Sequence, residues 1–145
     1  MGEELTPEEL GIREVETTFT ITATFPANLP ANNKVYASIQ VDPAIVAEAR
    51  VTVPADEAWV VEDLYVMASQ PVDAILEFFK NLTLSMYKSA PINGLVVTNV
   101  ARPIPTPFIY EGASMMTIQA TNLAAIGASA VTITAYAKVR RFTPH

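Results

Sequence analysis

The chain has 145 residues, half of them hydrophobic, with only 17% charged and no cysteine. That length suits one domain with a substantial core. The missing cysteines exclude a disulfide framework, a thiol nucleophile and a thiolate metal site. Charge is unevenly placed: within residues 1–16, six glutamates against Arg13 give −5, leaving −1 of the total −6 for all that follows. The acidity therefore belongs to a tail, and a nearly neutral body without a basic stripe argues against direct nucleic-acid binding.

A charged fraction below the roughly 25% of an ordinary soluble domain leaves the surface to Thr, Ser, Asn, Ala and Val. Two readings follow: an uncharged monomeric β-domain, or a subunit whose surface other subunits partly occupy. No apolar run approaches the roughly 18 residues of a membrane-spanning helix. The opening MGEELTPEEL lacks the charged-then-apolar pattern of a signal peptide. Residence in the cytoplasm, or in a particle assembled there, is the expectation, with no membrane partner.

Residues 1–14 read as an acidic N-terminal arm preceding a domain over 15–145. Thr6-Pro7-Glu8-Glu9-Leu10 carries an N-cap, a proline at the first helical position and first-turn acids, enough for one helical turn. The arm is either a solvated terminus or a strap reaching a neighbouring subunit, with Leu5, Leu10 and Ile12 as its apolar anchors. Val15–Phe25 alternates strictly: Val15, Thr17, Phe19, Ile21, Ala23 and Phe25 against Glu16 and a run of threonines. This predicts a strand with one face in a core and an outward Thr ladder.

Pro26–Asn33 reads as a loop, Lys34–Val41 as a second strand, and Ala47–Val53 as a third. A polar turn at Pro54–Glu57 leads to Ala58–Ala68, so Arg50–Ser69 predicts a hairpin around the only tryptophan, Trp59. The second arm holds Val60, Val61, Leu64, Tyr65 and Val66 almost in succession, which predicts a strand covered on both faces. Val72–Phe79 fits a strand, although two helical turns match its spacing too. Leu82, Leu84 and Met86 line one side of Asn81–Tyr87, and Leu95–Val100 is a short β-prone run. Arg102–Pro107, with proline at every second position, cannot donate a full ladder and predicts an extended loop or edge segment. Ser114–Thr121 and Ser129–Val139 alternate cleanly. About eight short, evenly spaced strands predict an all-β fold, a single β-sandwich or jelly roll with an extended N-terminal arm.

Catalytic constellations are hard to assemble from this composition. The sole histidine, His145, is the final residue given, which argues against a Ser-His-Asp triad and His-based zinc. The five glycines are scattered and form no phosphate loop. Paired carboxylates for glycoside hydrolysis would have to come from Asp56, Glu57, Glu62, Asp63, Asp73, Glu77 and Glu111, most of which fall at turns or outward positions. A calcium site at Asp56-Glu57 competes with plain turn chemistry. The expectation is no enzyme, no metal and no cofactor. Trp59, Tyr87 and Tyr110 are candidate aromatics that could line a sugar-binding surface, while core or subunit-interface packing is the commoner use of such side chains.

Two stretches resemble the small jelly-roll virion proteins of tailed phages and archaeal viruses. Val53-Pro54-Ala55-Asp56-Glu57-Ala58-Trp59-Val60-Val61-Glu62-Asp63-Leu64 is similar to the VPAG-x-x-W-x-V-x-x-L hairpin of those domains, with Asp56-Glu57 where a glycine-containing turn is usual. Pro107-Phe108-Ile109-Tyr110-Glu111-Gly112, followed by Ile118-Gln119-Ala120-Thr121-Asn122, looks like their P-x-x-Y loop leading into an I-x-x-T-N strand. The resemblance implies a non-enzymatic structural protein of the virion, a capsid decoration or coat subunit. It would act as a homo-oligomer, a trimer being favoured, alongside other particle subunits. The alternative is a carbohydrate- or receptor-binding module of a tail or spike.

Overall fold

The computed structural model describes residues 12–89, 91–93 and 100–144. The chain forms an antiparallel β-sandwich of the jelly-roll class. Its strands are β1 (Ile12–Phe25), β2 (Lys34–Tyr36), β3 (Ser38–Gln40), β4 (Arg50–Thr52), β5 (Ala58–Ala68), β6 (Asp73–Lys80), β7 (Leu84–Lys88), β8 (Ile92–Asn93), β9 (Val100–Tyr110), β10 (Met115–Asn122) and β11 (Val131–Pro144). One sheet has the order β3-β1-β11-β5-β9; the other runs β2-β10-β6-β7, with β4 also on β10 and β8 on β6.

The two long terminal strands pair over their whole length, Ile12 opposite Pro144 through Phe25 opposite Val131. β1 thus begins three residues inside the stretch read as an arm, because Phe142, Thr143 and Pro144 offer residues 12–14 a ladder. From Phe19 on, the inward residues fall where the alternation puts them, while Val15 at the start of β1 stays 40% exposed: Phe19, Ile21, Ala23 and Phe25 on β1, and Val131, Ile133, Ala135, Ala137 and Val139 on β11 are buried. From the facing sheet come Ala74, Leu76 and Phe78 of β6 with Met116, Ile118 and Ala120 of β10. Alternating small and large side chains let the layers interlock. The helical alternative for Val72–Phe79 loses to β10, whose residues 116–122 pair with residues 74–80 of β6.

Three sequence expectations are corrected. Lys34–Val41 is two strands, since the chain changes sheets at Ala37: β2 pairs with β10 and β3 with β1. Arg50–Ser69 is not a hairpin, because β4 pairs with β10 and β5 with β11 and β9, so the Pro54–Glu57 turn carries the chain from one sheet to the other. Nor is β5 covered on both faces. Trp59, Val61, Leu64, Val66 and Ala68 are buried while the alternate residues are half-buried. A bulge at Glu62, visible as a register shift against both neighbours, moves the inward phase from odd to even numbers and disguises alternation as an unbroken apolar run.

β9 is an edge strand, in keeping with its prolines, and its pairing with β5 is interrupted between Pro103 and Phe108. The β-prone run from Leu95 lies outside the described residues up to Val100.

Candidate functional site

Two turns meet at one end of the sandwich, and they are the two stretches that carry the sequence resemblance. The first, Pro54–Glu57, closes with Glu57 N–H donating to Pro54 C=O at 3.0 Å. Neither Ala55 nor Asp56 has a positive φ, so this turn needs no glycine. The second, Glu111–Ser114, closes with Ser114 N–H and Oγ both donating to Glu111 C=O, and Ala113 takes the left-handed conformation at φ 67°. Val53 joins them: its N–H donates to Ser114 C=O and its C=O accepts from Ala113 N–H, each at 2.9 Å. The turns are so close that a Cβ on Gly112 would lie 2.2 Å from the Ala55 carbonyl oxygen. Glycine is required there by close approach of backbone.

Glu57 extends this corner into the core. Its Oε1 accepts from Trp59 Nε1 at 2.9 Å and from Arg141 Nη2 at 3.0 Å and Nε at 3.2 Å. The Arg141 guanidinium lies over the Trp59 ring, 5.5 Å from its centroid, and Phe19 meets the same ring edge-on at 5.1 Å. Trp59 is 2% exposed, with its one polar atom satisfied. Tyr110 is fully buried; its hydroxyl donates to Phe79 C=O at 3.1 Å, and burial pushes its pKa upward. Trp59 and Tyr110 therefore serve the core, and neither offers the open ring face that stacking on a sugar needs. Tyr87 is half-buried and stacks on Phe108, with ring centroids 5.6 Å apart and planes 12° from parallel. Of the proposed arm anchors, Leu5 and Leu10 lie outside the described residues, and Ile12 opens β1.

The candidate carboxylates are dispersed into separate partnerships. Glu57 holds Arg141, Glu62 pairs with Arg140, Glu77 accepts from the Ser85 hydroxyl, and Glu111 pairs with Lys80. The Lys80 ammonium holds the Glu111 carboxyl below its usual pKa. Among the described residues no group of three or more His, Asp or Glu side chains converges as a metal site would require.

The outer face of the five-stranded sheet is divided by charge. Toward the Ile12 end, Glu14 and Glu16 of β1 pair with Arg140 and Lys138 of β11, at 3.1 and 3.8 Å. Toward the other end the rows are neutral: Gln40, Thr20, Tyr136 and Tyr65 in one, Ser38, Thr22, Thr134 and Met67 in the next. Thr24 and Thr132 then share a hydroxyl hydrogen bond at 3.1 Å. These side chains are half-buried or exposed, so four strands share a continuous, uncharged surface with hydroxyl donors and acceptors.

One surface feature escaped the sequence reading. The loop between β3 and β4 exposes Ile45 at 55% and Val46 at 82% beside a groove of about 200 Å³ floored by Ile39, Val51, Trp59 and Arg141. The signal was an apolar pair just after Asp42-Pro43, where loop residues are ordinarily polar.

No family model matches the chain, and no curated protein does. Among solved structures it is similar to a protein of the infectious bursal disease virus Gt strain, with 9% identity, a TM-score of 0.45, and coverage of 92% of this chain but 33% of that one. It is also similar to a mutant VP2 protein of that virus in derived T=1 particles, with 11% identity, a TM-score of 0.36, and 92% and 40% coverage. A third similarity is to the disulfide-linked pili of Bacillus endospore appendages, with 12% identity, a TM-score of 0.29, and 92% coverage of both chains. The chain thus spans between a third and two fifths of the two viral chains. Likenesses at this level assign neither family nor function.

Proposed function

We propose that this chain is a non-enzymatic structural subunit of a virus particle, a capsid decoration or coat protein that acts through contacts with copies of itself, a trimer being favoured. The observation that carries the reading is the uncharged half of the outer face, where Thr20, Thr22, Thr134, Tyr136, Tyr65 and Met67 stand in adjacent rows. Charged groups are costly to desolvate, and their depletion characterises the centre of protein interfaces. Hydroxyls can exchange water for a partner's groups at little net cost. The low overall charge and the resemblance of the two corner stretches to jelly-roll virion proteins support the same reading. Burial of Trp59 and Tyr110 weighs against the alternative, a sugar-binding module.

The test is the mass of the purified chain by light scattering across a concentration series, alongside Thr22→Glu. Thr22 is exposed, so a carboxylate there leaves the fold intact while burying a charge in any interface over that face. The expected result is a wild-type oligomer and a monomeric variant that still unfolds cooperatively, having lost only the stabilisation that association adds. A wild type that stays monomeric at the highest concentration, and does not bind particles, overturns the proposal.

A further inference from the structure

We infer that the apolar groove beside the β3–β4 loop receives residues 1–11 of a second copy of this chain, an inference that rests on the assembly role proposed above. The groove is lined by Ile39, Val41, Ile45, Val46, Val51 and Trp59, with Arg141 at one side. Val46 and Ile45 stand on its rim at 82% and 55% exposure, an unusual concentration of apolar surface for a loop.

The occupant follows from where the chain leaves the sandwich. Arg141, which lines the groove, pairs with Val15, and the same ladder runs on to Ile12 opposite Pro144. Val15 itself is 40% exposed. At Ile12 the chain heads away from the groove along the β1 axis, and eleven residues at about 3.3 Å each can span roughly 36 Å. Continued in that direction the arm can meet a second copy without turning, whereas entering the chain's own groove would need a reversal. Chemistry matches as well. Residues 1–11 hold Leu5 and Leu10 for the apolar floor and carry Glu3, Glu4, Glu8 and Glu9. Beside the groove is Arg13, two residues from Val15 and on the same face of β1; among the described residues it makes no ion pair. Glu48, also in the lining, fixes the polarity by repelling the arm's acids from that side.

The chain contains no cysteine, so engineered pairs report without background. Leu10→Cys and Val46→Cys are made singly and together, with Leu10→Cys plus Leu123→Cys as control, since exposed Leu123 follows β10 at the opposite end of the sandwich. Mild oxidation of the two single variants mixed together is expected to give a Leu10–Val46 heterodimer on a non-reducing gel, at several times the yield of the control pair. The double variant is expected to give a ladder of linked chains. A double variant that closes only within one chain, or a yield equal to the control, overturns the inference. Light scattering of the unmodified chain separates the failures. Oligomers without the cross-link refute the arm's docking alone; monomers without it refute the assembly reading too.

Discussion

Replacing Gly112 by alanine tests the corner that joins the two sheets. The added Cβ would lie 2.2 Å from Ala55 O, 2.7 Å from Ala55 C and 3.1 Å from Glu57 O, all main-chain atoms. Ordinary carbon–oxygen contact needs about 3.3 Å, so the turns must part by about 1 Å. That stretches the Val53–Ser114 and Ala113–Val53 hydrogen bonds, now 2.9 Å, beyond bonding range. Two lost bonds at about 1 kcal/mol each, with about 1–3 kcal/mol of overpacking strain, give a destabilisation of about 3–5 kcal/mol. At about 3 °C per kcal/mol for a chain of this size, the melting temperature should fall by about 10–15 °C. Neither Gly112 nor Gly127 has a positive φ, and a Cβ on Gly127 meets nothing within 4 Å. Gly127→Ala should therefore lie within about 0.5 kcal/mol of wild type. The assay is paired thermal and urea unfolding followed by Trp59 fluorescence. A Gly112→Ala variant as stable as Gly127→Ala would refute the steric argument.

Asn122→Ala should cost about 2–4 kcal/mol in urea unfolding, since this buried amide donates to Pro30 C=O at 2.8 Å and Ala124 C=O at 3.1 Å and accepts from Asn33 N–H at 2.9 Å. Glu57→Ala leaves the Trp59 indole N–H without its acceptor and Arg141 without its ion-pair partner; about 2–3 kcal/mol is expected, discounted for the partial exposure of Arg141, with a shift in Trp59 emission. The Glu111 carboxyl titrates below its ordinary value of 4.5 in the folded chain, so its contribution is present above that value and lost as the pH falls through the lower folded one. The stability difference between wild type and Glu111→Gln should accordingly shrink on acidification below pH 4.5, read from melting temperature against pH. Tyr110 has the opposite sign: held neutral by burial, it contributes below the ordinary tyrosine value of 10.0 and loses that contribution as the pH rises beyond it. One tyrosine should then ionise only with alkaline unfolding in an ultraviolet titration, and Tyr110→Phe should remove that lagging step.

Strict alternation made β1, β10 and β11 legible as half-buried strands, down to which residues face inward, because a period of two maps directly onto the two faces of a sheet. Which sheet a strand joins has no such signature. The chain changes sheets at Ala37 and again across Pro54–Glu57, and in both places the local pattern is compatible with a continuous strand or a hairpin. The bulge at Glu62 hid β5's alternation by shifting its phase, and only the partner registers reveal it. At the candidate site, the two corner stretches could be quoted from the sequence, but not their meeting. Gly112 is necessary because Ala55 lies against it, a contact between residues 57 positions apart. For Trp59 and Tyr110 the sequence favoured core or interface packing over a ligand surface, and burial decides for the core. The groove's rim was written in Ile45-Val46, a pair too short to carry any periodicity.

The most direct test of the assembly role is the solution mass of the wild-type chain beside Thr22→Glu, measured by light scattering at matched concentrations with cooperative unfolding retained. The expected result is an oligomer that the single carboxylate on the neutral face reduces to monomers. Two monomers of equal mass at every concentration, with no binding to particles, would contradict it.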